Sequence, residues 1–147
     1  MQLTADYPKV WLLGGIALAW LAGRTLPHGP TWPVGAGWLL AFAGLVLLAA
    51  AALQMRRTDT PSDPHALPRA LVTDGLFALS RNPIYLADAL ILTGLCAAFG
   101  APLAALVLTP AFVAVITTRF IRTEEARLAT AFGPAFSAYC ARTRRWL

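Results

Sequence analysis

Thirty consecutive residues, 89–118, carry no charge. As one straight helix they would run about 45 Å, against a bilayer hydrocarbon core of about 30 Å. Gly100 and Pro102 interrupt the run near its middle. Glycine is at home just past a helix end and proline at a first helical position. The pattern therefore predicts a tight hairpin of two short spans, about 83–99 and 102–118, with Pro110 kinking the second. Two more apolar runs precede it. The first supports a span of about 9–26, with Lys9 and Arg24 snorkelling outward. No small-residue cleavage motif follows it, so it reads as a retained helix. The second covers about 35–55, with Trp32 and Trp38 near one end as interface anchors.

Composition agrees with a bilayer. Apolar residues make up 58% of the 147 and charged residues 13%, where soluble domains carry roughly 45–50% and about 25%. That argues against a soluble domain and against disorder, which needs low hydrophobicity. The net charge of +5 then points to an anionic membrane surface before nucleic acid. Cys96 and Cys140 make no disulfide framework, and their neighbours suggest no metal site. The expectation is one all-α integral-membrane domain over 1–147. It has four transmembrane helices, a cytoplasmic loop at 56–82, and a cytoplasmic tail at 119–147 forming amphipathic helices.

Charge tests the count. With four spans, Lys9, Arg56, Arg57, Arg69, Arg81, Arg119, Arg122, Arg127, Arg142, Arg144 and Arg145 share one side, and only Arg24 lies on the other. An excess of eleven to one is a positive-inside signal that puts both termini in the cytoplasm. Merging the hairpin into one span would separate the tail arginines from those of the loop. Cytosolic chemistry is then confined to residues 56–88 and 119–147. His28 falls on the external side, and His65 sits in the polar, proline-broken stretch 58–65.

Two constellations carry possible chemistry. The first is Leu71-Val72-Thr73-Asp74-Gly75-Leu76-Phe77, then Arg81-Asn82-Pro83-Ile84-Tyr85. Asn82 as N-cap and Pro83 as first helical residue start the third span. Its positive end can dock an anion, and the Tyr85 ring can face a cation such as a sulfonium. The plainer reading is a helix start with Tyr85 as an interface anchor. The second is Arg119-Phe120-Ile121-Arg122-Thr123-Glu124-Glu125-Ala126-Arg127-Leu128, continuing to Phe132. Glu124 and Glu125 flank the apolar stripe of Ile121, Leu128 and Phe132. Either a carboxylate is pushed toward the packed side, where it needs a partner, or the pair makes surface bridges, Glu125 with Arg122 and Glu124 with Arg127.

Asp88 is an acid within a span, hence a functional hypothesis, or it pairs with Arg81 or a tail arginine, or it simply lies at the interface. Cys140 reads as a small apolar contact, and Arg142, Arg144, Arg145 and Trp146 as a membrane-surface anchor. Gly37, Ala41 and Gly44 offer close packing within the fold or across a dimer. No glycine-rich phosphate loop appears, and no Ser/His/Asp set or HExxH motif supports a hydrolase or metalloprotease reading.

Together the two constellations resemble the isoprenylcysteine carboxyl methyltransferase and phospholipid methyltransferase superfamily. The matching residues are Leu71, Val72, Thr73, Gly75, Phe77, Arg81, Pro83 and Tyr85, then, past the hairpin, Glu124, Glu125, Leu128, Phe132, Gly133 and Tyr139. The resemblance covers about residues 58–147, and the first two spans match only as hydrophobic helices. It implies S-adenosylmethionine as methyl donor, bound at the cytoplasmic ends of the last two spans. The implied donor contacts are Leu71, Val72, Phe77, Arg81, Asn82, Pro83, Tyr85 and the pair Glu124 and Glu125, with Glu124 the glutamate favoured. Arg119 is the implied acceptor-holding arginine. Asn82 stands where the family often has His, and Ala87 with Asp88 where a glycine is usual, so Asp88 is placed on the acceptor side. The implied acceptor is a lipophilic small molecule with a carboxylate or head-group nucleophile, and the implied setting is a bacterial inner membrane among membrane lipids, with no nucleic acid partner. A non-catalytic scaffold on the same fold and a small transporter using Asp88 are the competing classes.

Overall fold

The computed structural model describes residues 7–25, 32–57 and 70–147. Residues 58–69 with His65 and Arg69, residues 26–31 with His28, and the Trp32 side chain lie outside what is described. The described residues are helical, with no strand among them. Helix α1 is Pro8–Thr25 and α2 is Trp32–Arg57. A single turn, α3 at Leu76–Leu79, precedes α4 at Pro83–Ala98. A 3₁₀ turn at Pro102–Ala104 opens α5, Ala105–Ile116. Helices α6, Arg122–Phe132, and α7, Pro134–Arg142, follow.

The hairpin forms where Gly100 and Pro102 place it. Gly100 has φ 82°, a conformation that costs glycine no steric penalty. The last α4 carbonyls are taken by Gly100 N on Ala97 O and Ala101 N on Cys96 O, both at 3.0 Å. Thr93 and Thr109 share a hydroxyl hydrogen bond of 2.8 Å between α4 and α5. Helix α5 continues past Pro110.

The helix continues past 118, the expected membrane end of the last span. Residues Thr117–Ile121 form a π turn, and helix runs unbroken from Pro102 to Phe132. Charged residues end an apolar run but do not end a helix, because they leave the backbone hydrogen bonds intact. The chain stops at Gly133, whose φ of 48° closes α6 and opens α7 at Pro134.

Helix α4 is central and touches α1, α2 and α5. Leu12 and Ala19 of α1, Leu92 and Cys96 of α4, Phe112 and Ile116 of α5, and Phe120 and Ile121 form the core cluster. The α2–α4 seam is closer still. A Cβ on Gly94 would lie 2.6 Å from Gly37 O, and one on Gly44 would lie 2.9 Å from Ala87 O. Gly37, Ala41 and Gly44 thus pack within the fold. Small residues that let backbones approach are the usual cement where no water drives helices together. Outward faces carry Leu39, Phe42 and Leu45 of α2 and Leu103, Leu106 and Val107 of the hairpin, each more than half exposed. Two helices, Pro33–Arg57 and Pro102–Phe132, are long and apolar enough to cross a membrane, and Pro83–Ala98 is a shorter apolar helix.

Candidate active site

The site is built where the 70–85 segment meets the helix that follows the hairpin. Gly75 adopts φ 53°, ψ −124°, and a Cβ there would also sit 2.8 Å from the Gln54 amide. Gln54 clamps this turn from the end of α2. Its Nε2 donates to Asp74 O at 2.7 Å, and its Oε1 accepts from Leu76 N at 3.1 Å. Phe77 is buried, and its carbonyl accepts from Tyr139 Oη at 2.5 Å. Burial pushes the Tyr139 hydroxyl up to about 12, so it stays a donor at any physiological pH.

Pro83 occupies the first turn of α4, as the Asn-Pro pair predicts, and Asn82 holds the N-cap position. The Asn82 side chain makes no capping bond, however. Its Nδ2 donates to Arg145 O at 2.9 Å, and its backbone N donates to Ser80 Oγ at 3.1 Å. Ser80 is 1% exposed.

Less than one turn further, Tyr85 is buried and its hydroxyl donates to Glu124 Oε1 at 2.6 Å. This contact joins the two sequence constellations. Glu124 and Glu125 are both half-buried, on the same side of α6 as Leu128 and Phe132. The packed-side reading of the glutamates therefore holds. Glu125 does not pair with Arg122. Its Oε1 receives Arg81 Nη1 at 3.1 Å and Arg145 Nε at 3.0 Å, and its Oε2 receives Arg145 Nη2 at 2.6 Å. That fork raises the Arg145 guanidinium above its ordinary value. Arg81 also donates to Cys140 Sγ at 2.7 Å, so Cys140 is a polar contact of the site. Arg81 Nε is buried with no partner among the described residues.

The structure thus gathers Phe77, Arg81, Asn82, Pro83, Tyr85, Glu124 and Glu125 into one region. Leu71 is half-buried and Val72 buried on the segment leading into the turn. The two residues assigned to the acceptor are placed otherwise. Arg119 is exposed, with its guanidinium 5.4 Å from the centre of the Trp11 ring. Asp88 is 0% exposed and takes Lys9 Nζ at 2.7 and 2.8 Å. Its partner is neither Arg81 nor a tail arginine, but Lys9, whose side chain is itself half exposed.

Sequence reasoning missed Gln54, Ser80, Lys9 and the inward role of Arg145 and Trp146. Trp146 Nε1 donates to Thr117 Oγ1 at 3.2 Å. The signal for Arg145 was present, since a half-buried glutamate pair demands a cation. Its basic and aromatic surroundings read as a surface anchor instead.

The described residues are helical with apolar outer faces, two of the helices are long and apolar enough to cross a membrane, and the polar groups above converge at one end of the central helix. Residues 32–135, well over half the chain, match the phospholipid methyltransferase family, and the chain belongs to it. No curated protein and no solved structure matches it. The protein is accordingly an S-adenosylmethionine-dependent methyltransferase with a lipid-type acceptor. The match begins at residue 32, so α2 is part of the family unit rather than a generic hydrophobic helix.

Proposed function

We propose that Tyr85 and Glu124, with Phe77, Arg81, Asn82 and Pro83 around them, bind the methyl donor, and that the methyl goes to a carboxylate or head-group nucleophile on a lipophilic acceptor. The observation that carries this reading is the 2.6 Å hydrogen bond between Tyr85 and Glu124. It brings together two motifs 39 residues apart, each weak alone.

The residues present fit the donor's chemistry. S-adenosylmethionine supplies an electrophilic methyl on a sulfonium, with an ammonium and a carboxylate on the same molecule. Glu124 is an acceptor for the ammonium. Arg81 Nε, buried and without a partner among the described residues, is a donor still to be satisfied, and it adjoins the positive start of α4. Both suit a carboxylate. The Tyr85 ring suits a cation, and its hydroxyl fixes Glu124. Between the two glutamates, Glu124 is the better donor ligand, because both oxygens of Glu125 already serve Arg81 and Arg145.

Transfer of a methyl from a sulfonium is an in-line displacement, in which positioning and exclusion of water supply most of the rate. No histidine lies among the described residues. A carboxylate acceptor needs no general base at neutral pH, whereas an amine does, so the described residues suit a carboxylate, a pre-deprotonated acceptor or one that assists its own proton loss.

The proposed setting is four spans, about 9–26, 35–55, 83–99 and 102–118, with both termini and the site in the cytoplasm. Helix positions support it. Gly23, beside Arg24, packs on Phe99 O at the hairpin turn, while Lys9 meets Asp88 near the site. Arg24, the lone basic residue of the minority side, and Lys9 thus fall at opposite ends of α1.

The test is transfer of labelled methyl in lipid nanodiscs to three acceptors: a prenyl-thioether carboxylate, a long-chain fatty acid and phosphatidylethanolamine. The reading predicts lipid-soluble label released by mild alkali, as a methyl ester is. Alkali-stable label on the amine head group would replace the carboxylate acceptor. No label on any class, from protein that binds donor, would contradict the proposal.

A further inference from the structure

Residues 143–147 lie beyond the part of the chain that matches the family, yet their contacts run into both halves of the site. Arg81 N donates to Arg144 O at 3.0 Å, and Asn82 Nδ2 to Arg145 O at 2.9 Å. Trp146 Nε1 holds Thr117 Oγ1, within the π turn that leads into the glutamate helix. The Arg145 side chain makes the one bidentate contact, Nε and Nη2 on the two oxygens of Glu125 at 3.0 and 2.6 Å. This short segment therefore straps the start of α4 to the start of α6.

We infer that Arg145 is a positioning residue for donor binding, acting through Glu125. The inference rests on the donor site proposed above. Two adjacent carboxylates, Glu124 and Glu125, face one site that must receive an ammonium. Only one of them can hold it productively. The planar fork of Arg145 occupies both Glu125 oxygens, a geometry a lysine cannot reproduce. It removes Glu125 as a competing acceptor. It also shares Glu125 with Arg81, so Arg81 is not drawn wholly onto that carboxylate and away from the start of α4. The Tyr85–Glu124 pair is then left as the ammonium site. No contact between Arg145 and donor or acceptor is required.

The experiment is calorimetric titration of S-adenosylhomocysteine into nanodisc-embedded wild type, Arg145→Ala, Arg145→Lys, Glu125→Gln and the Arg145→Ala/Glu125→Gln pair, with donor and acceptor KM measured beside kcat. Arg145→Ala should weaken donor binding about tenfold, the scale of a lost charge-assisted hydrogen bond, with acceptor KM unchanged. Arg145→Lys should fall between wild type and the alanine variant, and it decides the matter if the alanine variant does not fold. The double variant should bind no worse than Arg145→Ala, because removing Glu125 removes the competitor. Unchanged donor affinity in folded Arg145→Ala and Arg145→Lys would overturn the inference, as would additive losses in the double variant. Glu124→Gln separates the two levels. If it abolishes binding while the Arg145 variants bind normally, only this inference fails. If it binds like wild type, the donor site itself is misassigned.

Discussion

Tyr85 donates its hydroxyl to Glu124 at 2.6 Å, from the first turn of one helix of the hairpin to the continuation of the other. Everything else in the candidate site surrounds this pair. Replacing Tyr85 with Phe keeps the ring and the packing but leaves Glu124 short of one donor. Donor affinity should drop at least about tenfold, since a hydrogen bond to a charged group contributes about 1.5–3 kcal/mol. Calorimetry with S-adenosylhomocysteine checks this, and unchanged affinity would remove Tyr85 from the site.

Lys9 and Asp88 tie α1 to α4 with an acid that is 0% exposed and an amine that is 51% exposed. Lys9→Met strands a buried carboxylate. Loss of one partner of a fully buried pair costs about 3–5 kcal/mol; the exposed lysine lowers the expectation to about 2–3 kcal/mol. Lys9→Met/Asp88→Asn should recover much of that loss. Thermal unfolding in detergent reads both variants, and a double variant no more stable than Lys9→Met would show that the pair is not what binds α1.

The α2–α4 seam tolerates no side chain at Gly94, where a Cβ would meet Ala41 N at 2.5 Å and Gly37 O at 2.6 Å. Gly94→Val should destabilise the protein by at least about 2 kcal/mol, the scale of overpacking. Gly14, where an added Cβ would meet nothing within 4 Å, is the control. Gly14→Ala should be neutral or stabilising by about 0.5–1 kcal/mol, since alanine suits a helix interior better. Equal behaviour of the two variants in a melting experiment would argue against the close seam.

Tyr139 is held protonated by burial, its hydroxyl pushed up from 10.0 to about 12. A folded-state value above the unfolded one means that the folded protein binds the proton more tightly. The stabilisation is therefore complete below pH 10 and is lost as pH rises through about 12. Tyr139→Phe should flatten that alkaline loss while lowering stability at neutral pH, because the hydrogen bond to Phe77 O disappears. Stability-against-pH curves for the two proteins should converge above about pH 12; parallel curves would exclude Tyr139 as the titrating group.

The hairpin was legible because glycine and proline act locally. Gly100 and Pro102 mark its turn and Pro83 its start, whatever the rest of the chain does. The half-buried glutamates were legible from helical periodicity. Three features were not. The unbroken join of the last span to the tail helix through Thr117–Ile121 was hidden, because arginines change polarity without breaking backbone hydrogen bonds. Lys9 and Asp88 are 79 residues apart, and no local pattern pairs them. Arg145 and Trp146 have the composition of an interface anchor, and only the fold turns them toward Glu125 and Thr117. Asp88 and Arg119 came to the acceptor side through resemblance alone. In the structure both are engaged by α1, through Lys9 and Trp11, which lies before the matched residues.

The most direct test of the donor site compares S-adenosylhomocysteine binding to wild type and Glu124→Gln in lipid nanodiscs, with folding confirmed for both. Saturable binding by wild type, weakened at least about tenfold in the variant, is the expected result. Equal binding by the two folded proteins would contradict the assignment of Glu124 and, with it, the pocket built around the Tyr85 pair.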